Sequence, residues 1–298
     1  MVDLLKRVNK VEQYLADTLS AGVEILEISM LKKSSREAPW RVDVLVNGQP
    51  KAFVFRIHTK TSAREYKILK AIEGIPIRTP KVYGLDKKGK YFGRPCFFMD
   101  FLEGDSLLKP LLAGEDWAEE LYIDSAIRLF TIPPEYLEEL PSWVGRDNAE
   151  DLLDEAYQNL KPYDDLVARR VYQELKMTLP KLPEIRFSNG DLYPENMIIR
   201  DQKLAGVIDF ANANFSDPLF EFLLPMFIHP QLKGRGLEGR FCERMGIDPD
   251  GLPWYNVLEF YDLWGYLAGT QDEFAGYNAS KIREILQRWL NNGTLKQD

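Results

Sequence analysis

The stretch FSNGDLYPENMIIR, Phe187 to Arg200, sets two acids, an amide and a proline between apolar ends. Asp191 and Asn196 stand five residues apart in the pattern D-L-x-P-x-N, and GVIDF follows, ending in Asp209 and Phe210. Pro194 favours a bend between the first acid and the amide. In this arrangement the Asp191 carboxylate can take a proton from a hydroxyl. The amide oxygen of Asn196 and the carboxylate of Asp209, expected at the end of an apolar strand, can serve a hard cation such as Mg²⁺. Phosphoryl transfer from ATP asks for little more: a carboxylate beside the acceptor, metal ligands, a cation on the phosphates and a covering loop. Alone, Asp191 and Asn196 would pass for an Asx-rich turn and Asp209 for a capping acid. Their order, placed after a strand-rich half, carries the chemistry.

Upstream, RVDVLVNGQPKAFVFRI alternates around Asn47-Gly48, a hairpin signal. GVEILEISML before it alternates likewise. TSAREYKILKAIEG opens with Ser62-x-x-Glu65, a capping box, and closes on Gly74, so it predicts a helix. PKVYGLD and PCFFMDFL add two strands, giving five strands and one inserted helix by residue 102, after a helical pattern over residues 3–19. Beyond Gly104 the periodicity predicts helices near 115–130, 148–160, 164–178, 217–228, 235–245, 254–270 and 279–291, interrupted by the quoted loop and by short apolar runs at MIIR and LAGVIDF. The expected division is residues 1–104, a nucleotide-binding lobe, and 105–298, a catalytic and acceptor-binding lobe, with a hinge rather than a tether between them.

The 298 residues carry a net charge of −8, unevenly spread. Residues 1–104 hold 19 Lys and Arg against 12 Asp and Glu; residues 105–298 hold 19 against 34. The acidic larger part disfavours nucleic acid, while the basic first part suits a polyanion as small as a nucleotide. No apolar run reaches the roughly 18 residues a membrane span needs, and no signal-peptide core opens the chain. Two cysteines, Cys96 and Cys242, and two histidines make a disulfide framework or structural zinc improbable. The expectation is a cytoplasmic protein with no nucleic-acid or membrane partner; the sequence sets no oligomeric state.

These motifs resemble the aminoglycoside phosphotransferase and choline kinase-like family. The resemblance rests on AFVFRIH with its following helix, FFMDFLEGDSL, NGDLYPEN, IDFANANFSDP and an aromatic-rich helical end, and so covers nearly the whole chain. It implies an α+β, bilobal protein-kinase-like fold: an antiparallel sheet plus helix first, then a larger, mainly helical lobe. It implies a small-molecule kinase using ATP and Mg²⁺ on a hydroxyl acceptor, with Asp191 as catalytic base and Asn196 and Asp209 on the metal. The backbone of Asp100, Phe101 and Leu102 would meet the adenine. Arg56 stands where kinases carry a phosphate-binding lysine, with Glu65 its expected partner, and arginine brings a fork where lysine brings a point charge.

Three positions depart from the family pattern. Asn189 replaces the usual histidine two residues before the acid, Tyr193 replaces a histidine or lysine, and LKKSSREAPW, where a phosphate loop is expected, has no glycine. Lys32, Lys33, Ser34 and Ser35 are the candidates to substitute there. These departures keep a nucleotide-binding pseudokinase open as an alternative. A protein kinase is disfavoured, because SDPLFEF follows Asp209 too closely for an activation segment.

Two further readings concern the second half. Asp217 before Pro218 is simplest as a helix N-cap. In WYNVLEFYDLWGYLAG, Tyr255, Glu259, Asp262 and Tyr266 share one helical face. They suggest either a solvated face or a wall for a cationic acceptor such as an amino alcohol or aminoglycoside, with Trp264 turned into the core.

Overall fold

A computed structural model of the chain describes residues 2–31, 39–57, 62–293 and 295. In chain order it runs α1 (Val8–Leu19), β1 (Val23–Met30), β2 (Trp40–Val46), β3 (Gln49–Ile57), α2 (Ser62–Ala71), β4 (Val82–Asp86), β5 (Cys96–Asp100) and β6 (Asp105–Ser106). Then come α3 (Leu108–Ala113), α4 (Asp116–Phe130), β7 (Arg146–Asp147), α5 (Ala149–Leu160), α6 (Leu166–Met177), β8 (Arg186–Ser188), β9 (Met197–Arg200), β10 (Lys203–Val207) and β11 (Asn214–Ser216). The chain closes with α7 (Pro218–Ile228), α8 (Leu237–Met245), α9 (Leu252–Leu267) and α10 (Ala279–Asn292). Short 3₁₀ turns join several of these, one of them Pro194–Asn196 in the quoted loop.

The chain falls into two compact units. The first comprises Met1–Leu107, Ile132–Trp143 and Glu195–Ala213; the second comprises Leu108–Thr131, Val144–Pro194 and Asn214–Asp298. The sequence suggested a single boundary after Gly104. The β9–β10 hairpin instead groups with the first unit, because β9 pairs with β6 just after that boundary. Gly104, at φ +144°, makes this pairing possible: a Cβ there would clash with the Ile199 carbonyl oxygen.

The first unit is built on an antiparallel sheet of order β1-β2-β3-β5-β4. The hairpin at Asn47-Gly48 forms as the sequence predicts, with both residues at positive φ (50° and 76°), the I′ geometry that matches strand twist. Alternation buries Trp40, Val42 and Val44 of β2 with Phe53 and Phe55 of β3. Tyr14 of α1 meets Phe55 and Phe98 edge-on, so α1 covers that face. On the other face Tyr66 of α2 packs edge-on against Phe97. Residue parity along β3 therefore turns Arg56 toward α2 and leaves Phe55 in the aromatic core.

In the second unit, α9 is the central helix. Trp254 Nε1 donates to the Leu175 carbonyl at 2.9 Å and the Tyr261 hydroxyl donates to the Ala168 carbonyl at 3.0 Å, locking α9 to α6. Gly265 lets α9 close on α5, where a Cβ would come 2.9 Å from Ala156 Cα. Trp264 is buried, as its place on the helical wheel predicts. A small sheet of order β7-β11-β8 carries the start of the quoted loop. Among the described residues no helix is long and apolar enough to cross a membrane.

Candidate active site

In the first unit, β3 and α2 bring an ion pair together. Arg56 donates from Nε to Glu65 Oε2 at 2.8 Å. Glu65 is 1% exposed and the Arg56 side chain 13%. Burial pushes the Glu65 carboxyl above its ordinary range; the Arg56 charge opposes that shift and the Asp209 charge adds to it. The Arg56 fork has a second reach, with Nη2 standing 3.4 Å from Asp209 Oδ1. Glu65 thus serves the ion pair that the sequence predicts. Its capping partner in the expected box, the Ser62 side chain, lies outside the described residues, as do Lys32, Lys33, Ser34 and Ser35.

Asp209 does not end a strand. β10 stops at Val207, and Asp209 adopts φ +59°, a left-handed conformation rare for a residue with a side chain. The preceding Ile208 amide donates to the Asn196 carbonyl at 2.9 Å, which ties the two candidate metal ligands to one another through the backbone. An amide oxygen and a carboxylate oxygen are hard donors. A two-residue set suits Mg²⁺, which keeps waters and substrate phosphates as its remaining ligands. Among the described residues no group of three or more His, Cys, Asp or Glu is arranged to hold a metal.

At the end of β5, the Asp100 amide donates to the Lys81 carbonyl at 2.9 Å and the Phe101 amide to the Ala52 carbonyl at 3.0 Å. The Asp100 side chain accepts from the Tyr83 hydroxyl at 3.1 Å. Those two amides are therefore committed within the protein. Of the three residues expected at the adenine, Leu102 is the candidate backbone donor.

In the second unit, Asp191 follows β8. The Asn189 side-chain amide donates to the Asp191 carbonyl at 2.9 Å, and the Tyr193 amide donates to the same oxygen at 2.7 Å. Asn189, fully buried, shapes the turn by hydrogen bonding in place of the expected histidine. The Leu192 carbonyl accepts from the Tyr122 hydroxyl of α4. Asp217 caps α7 as predicted, accepting from the Leu219 and Phe220 amides, and it also accepts from the Tyr255 hydroxyl at 2.6 Å.

Asp191 opens onto a cavity of about 350 Å³ whose walls include Tyr193, Phe227, Glu259, Asp262 and Tyr266. Three of the four residues on the predicted α9 face are here. Tyr255 is not: it is buried and spent on Asp217. The solvated-face reading fails for Glu259, which is 4% exposed, and whose Oε1 has no hydrogen-bond partner among the described residues. Burial raises the Glu259 carboxyl well above its ordinary range, helped by the Asp262 and Glu221 charges and opposed by Lys233. Burial and the Glu155 charge push Asp262 up to about 7. Phe227 and Phe274 were not singled out from sequence, since nothing local distinguishes a pocket aromatic from a core one.

A family model described as phosphotransferase enzyme family matches residues 41–252. Among solved structures, a putative aminoglycoside phosphotransferase from Ralstonia eutropha superposes with TM-score 0.73 at 14% identity, over 100% of both chains. Aminoglycoside phosphotransferase APH(4)-Ia, in ternary complex with AMP-PNP and hygromycin B, gives 0.67 at 14% identity, over 96% of this chain and 99% of that one. Macrolide 2'-phosphotransferase MphH from Brachybacterium faecium gives 0.62 at 10% identity, over 96% and 94%. No curated protein sequence matches the chain. The structural likeness establishes the protein-kinase-like fold. With the family model spanning well over half the sequence, the chain belongs to the phosphotransferase enzyme family.

Proposed function

We propose that the protein transfers the γ-phosphate of ATP to a hydroxyl of a small cationic molecule. The observation that carries this reading is Arg56, a forked cation held by buried Glu65 with its second arm toward Asp209. Arg56 binds the non-transferred phosphates, and Leu102 meets the adenine. Asn196 and Asp209 hold Mg²⁺, which neutralises phosphate charge when bound. Asp191 accepts the proton as the acceptor oxygen bonds to the γ-phosphorus. The bond from that phosphorus to the bridging oxygen breaks, and ADP leaves. The AMP-PNP and hygromycin B complex of the related fold supports a nucleotide donor and a small hydroxylated acceptor.

Beside Asp191, the cavity offers the two acids Glu259 and Asp262 and the rings of Tyr193, Phe227 and Tyr266. Acids with aromatic walls suit an ammonium group, each ring adding about 0.5–2 kcal/mol. The test is ATP consumption against matched panels of amino alcohols and aminoglycosides on one side and neutral polyols on the other. Turnover confined to the cationic panel supports the reading. A preference for neutral acceptors removes the cation, and ATP binding without turnover on any acceptor favours the pseudokinase.

A further inference from the structure

Behind the Asp191 turn lies a buried carboxylate that the reaction itself does not use. In the β8–β11 pairing Ser188 faces Asn214, so Ser216, two residues on from Asn214, shares a sheet face with Ser188. Both hydroxyls meet Glu221, in the first turn of α7: Ser216 Oγ donates to Oε1 at 3.0 Å and Ser188 Oγ to Oε2 at 3.3 Å. Ser188 Oγ in turn accepts the Gly190 amide at 3.1 Å. A directed chain results, from the Gly190 N–H to the Ser188 hydroxyl to the Glu221 carboxylate. Gly190 sits at φ +71° immediately before Asp191. Ser188, Ser216 and Glu221 are all buried, so water does not compete for these bonds.

We propose that Glu221 is a positioning residue for the catalytic turn: as a carboxylate, accepting from both serines, it orients the Ser188 hydroxyl to hold the Gly190 amide, and so fixes the peptide that carries Asp191. The directions of the bonds make the hold sensitive to protonation. A carboxylate accepts at both oxygens, whereas a carboxylic acid turns one oxygen into a donor, and one serine must then reverse. Burial raises the Glu221 carboxyl to about 7; the serine bonds hold it down, and the charges of Asp191 and Asp217 push it up. Glu259 of α9 faces it as a further carboxyl, and Lys233 faces Glu259 as the nearby cation.

This inference rests on Asp191 being the base, so its test reads the turn independently of catalysis. The full chain, labelled with ¹⁵N and ¹³C, is titrated from pH 5 to 9 without nucleotide, following the Gly190 amide and the Glu221 carboxyl. The expected result is one shared midpoint near 7. Glu221→Gln should abolish the Gly190 titration, although Asp262 still ionises in the same range. Ser188→Ala should uncouple Gly190 while Glu221 continues to titrate, and Ser216→Ala should move the shared midpoint upward by removing a bond to the charged form. A Gly190 amide that ignores pH, or that titrates unchanged in Glu221→Gln or Ser188→Ala, overturns the proposal even if phosphotransfer stands. With the acceptor found by the panels, the Glu221→Gln and Ser188→Ala variants should lower kcat roughly 10–100-fold at unchanged KM for ATP; unchanged kcat in both likewise overturns it.

Discussion

Arg56 gives its Nε to Glu65 at 2.8 Å and keeps Nη2 3.4 Å from Asp209. One guanidinium thus faces both the acid that anchors it and the acid proposed to hold the metal. A lysine has one charged point and cannot make both approaches at once. Arg56→Lys should therefore raise the KM for ATP roughly 10–100-fold, the equivalent of one charged hydrogen bond at ~1.5–3 kcal/mol. Steady-state kinetics at saturating acceptor checks it, and wild-type KM in Arg56→Lys and Arg56→Ala alike would make Arg56 a purely structural cation.

Glu65 is almost fully buried, and Arg56 nearly so. Removing Glu65 takes away the buried partner of Arg56 and leaves the guanidinium beside Asp209 at 3.4 Å, a loss of up to about 3–5 kcal/mol in buried pairs. Glu65→Ala should lower the melting temperature more than the double variant Glu65→Ala with Arg56→Met does. Equal melting of the two variants would show that Arg56 loses nothing when its buried partner is removed.

Asp209 is proposed to bring Mg²⁺ to the nucleotide. Calorimetry should show ATP binding strengthened by Mg²⁺ in the parent and insensitive to it in Asp209→Ala. Equal Mg²⁺·ATP affinity in both would remove Asp209 from the metal site. The position itself was legible as a carboxylate after an apolar run, but its left-handed backbone was not. Local sequence predicted strand through Asp209, whereas the tie from Ile208 to Asn196 ends the strand at Val207 and turns the chain.

Burial raises Glu221 and Asp262 to about 7 and Glu259 well above its usual range. A carboxyl raised on folding contributes stability that is full below the ordinary carboxylate range and lost as pH rises through the folded value. The melting temperature should therefore fall between pH 6 and 8, and Glu259→Gln should raise it at pH 8. A melting temperature that climbs over that interval would contradict the buried-acid description. The same variant and Asp262→Asn should raise KM for cationic acceptors and leave neutral ones unaffected.

Much of the architecture was legible because it is written in short-range patterns. Asn47-Gly48 fixes a hairpin by φ alone, and Asp217-Pro218 starts a helix by side-chain capping. The helix of Glu259 was legible too, but its burial was not: period 3.6 tells which residues share a face, and only the packing of α9 decides what that face meets. Ser188, Ser216 and Glu221 escaped notice for the same reason, since β8 and β11 are three residues each and their pairing is long-range. The grouping of the β9–β10 hairpin with the first unit likewise depends on its pairing with β6, which no local signal announces.

The central claim is that Asp191 takes the acceptor proton. With the acceptor that the panels select, single-turnover phosphoryl transfer by Asp191→Asn should fall about 10²–10⁴-fold, the range for a lost general base. Its affinity for Mg²⁺·ATP and its melting temperature should stay near the parent's. Transfer at the parent rate in Asp191→Asn would contradict the assignment outright.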